Sequence, residues 1–237
     1  MVERHISSRF ENELLEIKAS IARMGALVED QIRAAIHALS FKDDASLQKV
    51  LETEQQVNHL EVEMDRKLSD IISRRQPTAS DLRLLLAISK ISTNLERTGD
   101  ETVRVARMMA NIAKGSEPSS SLPFENLSHA ADLASNLLHK SLDAFAALDV
   151  GAAIAILKED SEIDAEYGAF VSKLIERLKD EPAIISSGFS LLFLAKALER
   201  IGDHSKNIAE VVIYAARGID VRHLSLNEIG LLIQADA

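Results

Sequence analysis

The sequence predicts an all-α protein made of two pseudo-repeated three-helix bundles. Three observations carry this. Hydrophobic residues recur at helical spacing almost from end to end. The apolar 46% is mostly Leu, Ile, Val and Ala, with 4% aromatics, no Trp, nine Gly and four Pro. Sheets favour aromatic and β-branched residues and need more turns, so helices are preferred. Finally, Leu95-Glu96-Arg97-Thr98-Gly99-Asp100 recurs as Leu198-Glu199-Arg200-Ile201-Gly202-Asp203, five of six residues identical at an offset of 103, which marks a duplication.

The first periodic stretch runs over about 6–40, through Leu14, Ile17, Ile21, Met24, Val28, Ile32, Ala35 and Ile36. Phe41-Lys42-Asp43-Asp44 interrupts it, and an acid there suits the start of the next helix. The second stretch covers about 45–74 and stops at Pro77. Thr78-Ala79-Ser80-Asp81 then offers a capping arrangement for a third helix to about 113. The Ser- and Pro-rich segment ending at Pro123 reads as a linker, 115–123. Three more helices follow over about 124–148, 150–179 and 182–217, separated near Asp149 and at Glu181-Pro182. This gives a first bundle within 1–114, a second within 124–217, and a tail, 218–237, with weak periodicity and no assigned element. Helices of about 30 residues are about 45 Å long, so an elongated molecule with up-down packing is expected.

The formal charge of −10 over 237 residues argues against nucleic acid or an anionic membrane surface as the main partner. Without cysteine there is no disulfide framework and no thiolate metal site, so any metal needs oxygen or imidazole ligands. Met1 to Phe10 is polar, without the apolar core of a signal peptide, and no run approaches about 18 apolar residues. The chain reads as cytoplasmic.

Polar residues interrupt the apolar stripes. In the second helix, two columns at seven-residue spacing are apolar at their ends and polar in the middle: Leu47, Glu54, Glu61, Leu68 and Leu51, Asn58, Asp65, Ile72. Buried carboxylates need a basic partner, solvent or a metal. Glu96 and Asp100, Glu199 and Asp203, and Asp160 and Asp164 are acid pairs at i, i+4, which share a helix face. Glu54 and Asn58 have the same form with one amide. Gly99 and Gly202 sit in small-residue columns, where close helix approach would let the acids converge on a shared ion. Such oxygen donors suit a hard or borderline cation, with the amide-containing first site expected to bind less tightly. The competing reading is solvated acid pairs neutralised by Arg97 and Arg200, giving a metal-free scaffold. His204 reads as a surface residue, because Glu101 holds the equivalent place in the first half.

Enzymatic readings lose their residues one by one. Glu-x-x-His, needed by ferritin-like di-iron bundles, occurs nowhere, nor do His-Glu-x-x-His, Walker A or Gly-x-Ser-x-Gly. A metal-dependent hydrolase or oxidase using the clustered carboxylates stays open as the alternative to a non-catalytic protein.

The doubled Leu-Glu-Arg-x-Gly-Asp motif, together with Arg74-Arg75-Gln76-Pro77-Thr78-Ala79-Ser80-Asp81-Leu82-Arg83, His5-Ile6-Ser7, Met24-Gly25, Val28-Glu29 and Asp220-Val221-Arg222-His223, resembles the PhoU family over nearly the whole length. The resemblance implies two three-helix bundles related by a pseudo-twofold in a cytoplasmic protein that is often dimeric. It implies metal ions (Fe, Mn, Mg or Zn) at Glu96 and Asp100, Glu199 and Asp203, and Asp160 and Asp164, with Glu54 and Asn58 in the remaining motif. It also implies a non-catalytic negative regulator linking the ATPase subunit PstB of the phosphate ABC transporter to the sensor kinase PhoR, reaching the membrane only through its partners.

Overall fold

The computed structural model describes residues 8–41, 44–114 and 124–235. The expected linker, 115–123, lies outside them. Within the described residues the chain forms α1 (Ser8–Phe41), α2 (Asp44–Arg75), α3 (Ala79–Lys114), α4 (Phe124–Ala147), α5 (Val150–Asp180), α6 (Ile185–Arg217) and α7 (Leu226–Ala235), with a 3-10 turn at Pro182–Ile184 leading into α6.

The boundaries have local causes. Gln76 and Ala79 take positive φ (47° and 46°) on either side of Pro77, so the chain turns where proline forbids helix. Arg75, the last residue of α2, forks onto Glu13 of α1 at 2.9 and 3.0 Å and ties the end of one helix to the start of the other. Asp149 caps α5 by accepting from the Ala152 amide at 3.0 Å. Gly218 ends α6 in the left-handed region (φ 76°), its amide bonding the Tyr214 carbonyl at 2.8 Å.

The first bundle packs α1, α2 and α3 pairwise, and the second packs α4, α5 and α6 in the same way. The bundles meet chiefly through α3 against α6, with α1 against α4 beside it, so α2 and α5 lie on the outer flanks. The apolar stripes read from the sequence form one continuous core, with Ile17, Met24, Val28, Leu85, Ile91 and Leu95 on one side and Leu138, Ile156, Leu191, Leu198 and Ile208 on the other. Pro182–Arg217 is long and apolar enough to cross a membrane by composition alone. In the fold its helix packs against α3, α4 and α5.

The tail holds an element that periodicity did not assign. Val221 and Ile229 are buried, and α7 rests against α5. Its start is a capping box: Glu228 accepts from the Ser225 amide and hydroxyl at 2.7 Å each, and the Ser225 hydroxyl faces the Glu228 amide at 3.4 Å. The Ser-x-x-Glu spacing was legible, but a helix of ten residues carries little periodic signal.

Candidate metal centre

Of the two polar columns in α2, one turns inward and one outward. Glu54 and Glu61 are half-buried above buried Leu68, whereas Asn58 and Asp65 are exposed. Opposite them on α3, half-buried Glu96 and exposed Asp100 complete a four-carboxylate cluster. Burial first, then the nearby charges of Asp100, Glu61 and Glu54, push Glu96 up to about 7. Burial likewise raises Glu54 and Glu61.

Gly99 accommodates this cluster in a way the small-residue column did not anticipate. A Cβ on Gly99 would lie 2.7 Å from Glu54 Oε2 and 3.1 Å from Gln31 Oε1. Neighbouring side-chain oxygens, not a neighbouring backbone, occupy the room that the glycine leaves. Gln31 was absent from the residues singled out in the sequence, yet it is fully buried, and its Nε2 donates to Glu54 Oε2 at 2.9 Å and to the Val50 carbonyl at 3.2 Å. The signal for it was its place in the α1 stripe, three residues after Val28 and four before Ala35.

The second half repeats the arrangement with different neutralisation. Buried Asp160 and exposed Asp164 on α5 face half-buried Glu199 and Asp203 on α6. Burial first, then Glu199, Asp160 and Asp164, push Asp203 up to about 6. Lys206 donates to Asp160 Oδ2 at 2.8 Å and Lys196 to Glu199 Oε1 at 2.5 Å. Beside Gly202 stand the Ile163 side chain and Asp160 Oδ1, at 2.8 and 3.6 Å from a notional Cβ.

A cleft of about 770 Å³ lies between the bundles, with Asp100, Glu101, Arg200, Asp203 and His204 in its walls. A second cavity, about 660 Å³, opens beside Glu54, Asn58 and Asp100. Arg200 acts on the acids of its own motif, Glu199 and Asp203, only through its field. It crosses the cleft to buried Glu101 at 2.9 Å, and Arg104 pairs with the other Glu101 oxygen at 3.0 Å. His204 is not a surface residue: it is half-buried against Asn94 Oδ1 at 3.3 Å, and burial, with Arg97 and Arg200 nearby, lowers it to about 4.

Seven of the eight expected ligands are carboxylates grouped in two clusters, one in each bundle, and Asn58 stands exposed at the rim of the first. Among the described residues, no group of three or more His, Asp or Glu side chains is arranged so as to hold a metal ion. The donors present are of the kind a hard cation takes. They are all oxygen, and Glu54 Oε1, Gln31 Oε1 and Glu199 Oε2 are buried acceptors without a hydrogen-bond donor.

Fold and site together define a helical, internally duplicated protein with acid clusters flanking a central cleft. Comparison with known proteins narrows this class. The family model of the PhoU domain matches twice, at residues 21–109 and 127–212. A phosphate-specific transport system accessory protein PhoU homolog from Burkholderia sp. is 41% identical over 225 residues, covering 95% of this chain and 96% of that protein. The phosphate-specific transport system accessory protein PhoU of Escherichia coli (strain K12) is 37% identical, covering 98% and 95%. The crystal structure of PhoU from Pseudomonas aeruginosa superposes with a TM-score of 0.84 at 36% identity, covering 89% of this chain and all of that one. That of the phosphate transport system regulatory protein PhoU from Streptococcus pneumoniae gives 0.77 at 28%, covering 90% and 99%. The chain belongs to the PhoU family.

Proposed function

We propose that this chain is a non-catalytic cytoplasmic regulator of phosphate uptake. In this reading it links the transporter ATPase PstB to the sensor kinase PhoR as a homodimer and represses the phosphate-starvation response while phosphate is plentiful. The observation that carries the reading is similarity over nearly the full length to relatives named as phosphate-transport accessory proteins, with both acid motifs in place. Glu54, Asn58, Glu96 and Asp100 in the first bundle, and Asp160, Asp164, Glu199 and Asp203 in the second, are its candidate cation ligands. A bound divalent ion supplies positive charge that relieves carboxylate repulsion between neighbouring helices.

The outer helices α2 and α5 and the apolar residues exposed on α6, Phe189 and Phe193, are surface available to partners. Deleting the gene is expected to make a phosphate-starvation reporter constitutive in phosphate-rich medium, with restoration by the intact chain. Pull-downs should recover both the transporter ATPase and the kinase sensor region. A reporter that stays repressed in the deletion strain contradicts the regulatory reading.

A further inference from the structure

The duplication sets matched residues against one another across the central cleft, and one match is broken. At the offset of 103, Arg97 and Arg200 are counterparts, as are Glu101 and His204, and Arg104 and Asn207. Arg200 of α6 reaches Glu101 of α3 at 2.9 Å, and Arg104 takes the other oxygen of that carboxylate at 3.0 Å. The reciprocal group is Arg97 of α3 with His204 and Asn207 of α6, and it contains no carboxylate. His204 Nδ1 and Asn207 Nδ2 both turn to Asn94 Oδ1, at 3.3 Å each.

Arg97 is thereby a guanidinium without a counter-ion. It is exposed on the cleft wall, and among the described residues no ion pair reaches it. It acts on Glu61, Glu96 and His204 only through its field. Arg200 and Arg104 each give one nitrogen to Glu101 and are about half exposed, so both keep N–H donors to spare. Asp100 and Asp203 also border the cleft, without an ion pair to any of these arginines. In a chain of net charge −10, three guanidinium groups around one bonded carboxylate make a local surplus of positive charge.

The forked N–H donors of arginine match the oxygens of carboxylate and phosphate. A planar carboxylate offers two oxygens, and Glu101 already fills that role once. A tetrahedral phosphoryl group offers three or more, enough to take donors from Arg97 and from the spare nitrogens of Arg200 and Arg104 together. The cleft, at about 770 Å³, has room for more than the phosphoryl group itself.

We propose that the central cleft binds a phosphoryl oxyanion, either free phosphate or the phosphoryl end of a nucleotide, with Arg97 as its principal fork and Asn207, Arg200 and Arg104 around it. The anion takes the place opposite Arg97 that Glu101 takes opposite Arg200. The site is separate from the cation reading, since none of these residues is a candidate cation ligand. Its donors come from α3 and α6, so a bound anion joins the two halves.

The full chain is desalted into metal-free buffer, so that no ion can bridge phosphate to the acid clusters. At about 0.15 M salt, where loose surface attraction is screened, it is titrated by calorimetry with inorganic phosphate and, separately, with ATP. Saturable uptake of one equivalent per chain is expected. Arg97→Gln should weaken it at least about 10-fold, and so should His204→Glu, which supplies the missing carboxylate from within. His204→Gln should bind as the unaltered chain does, as should Arg66→Gln, an exposed position on the outer helix α2. Circular dichroism checks that each variant is folded. Uptake of ATP without uptake of phosphate, lost with Arg97→Gln, supports the site and assigns its phosphoryl group to a nucleotide. Failure of both probes, or uptake that persists in Arg97→Gln, overturns the proposal. Binding of a glutamate-rich peptide in preference to both probes also overturns it and makes the cleft a seat for a partner's carboxylate.

Discussion

Gly99→Ala tests how the first cluster is built. Alanine in a helix interior is worth about 1 kcal/mol over glycine, so on propensity alone the change stabilises. The new methyl, however, would stand 2.7 Å from Glu54 Oε2, and a shift of that carboxylate puts at stake the 2.9 Å bond it accepts from Gln31. A hydrogen bond to a charged group contributes about 1.5–3 kcal/mol. The net loss is then about 0.5–2 kcal/mol, or a fall in Tm of roughly 1–8 °C for a chain of this size. Gly168 is the control, because nothing lies within 4 Å of its notional Cβ. Gly168→Ala should raise Tm by about 2–4 °C. The assay is thermal unfolding of chelated protein followed by far-UV circular dichroism. In a Glu54→Ala background the sign should reverse, since the obstructing carboxylate is gone. If Gly99→Ala stabilises as much as Gly168→Ala, or if its cost is unchanged without Glu54, the packing argument is refuted.

Glu101→Gln removes the charge shared by Arg200 and Arg104 across the cleft. Both arginines are about half exposed and can return to water, so the expected loss is about 1–2 kcal/mol, seen as a Tm drop of roughly 2–8 °C. Gly218→Ala forces a side chain into φ 76° and should cost about 1–2 kcal/mol by the same measurement. His139 on α4 bonds Glu29 of α1 at 2.7 Å, and that bond raises its pKa. The contribution to stability is full below the unfolded value of about 6.5 and is lost as pH rises through the higher folded one. An NMR titration should place the His139 midpoint above about 6.5, and Glu29→Gln should bring it down. An unchanged midpoint in that variant dismisses the pair.

The helices were legible because each long stripe buries one face: Leu14, Ile17, Ile21 and Met24 declare α1 before any contact is known. The clustering of acids could be read from i, i+4 spacing and from the duplication. What spacing could not reveal is which neighbour reaches across. Lys196 and Lys206 look in sequence like ordinary surface lysines on α6, and only the α5–α6 packing brings Lys206 to Asp160. The duplication gives no guide to the exposure of His204, because its counterpart Glu101 is itself buried, at 5%. Gln31 shows the same limit from the other side, since a single amide in an apolar stripe does not announce its partner on another helix.

Asp100 and Glu101 are consecutive, yet they serve different neighbours: one belongs to the carboxylates facing α2, and the other clasps Arg200 on α6. A wedge driven between the halves would have to unfasten that clasp. The fastening between the halves and the first acid cluster thus occupy successive positions of one helix, α3.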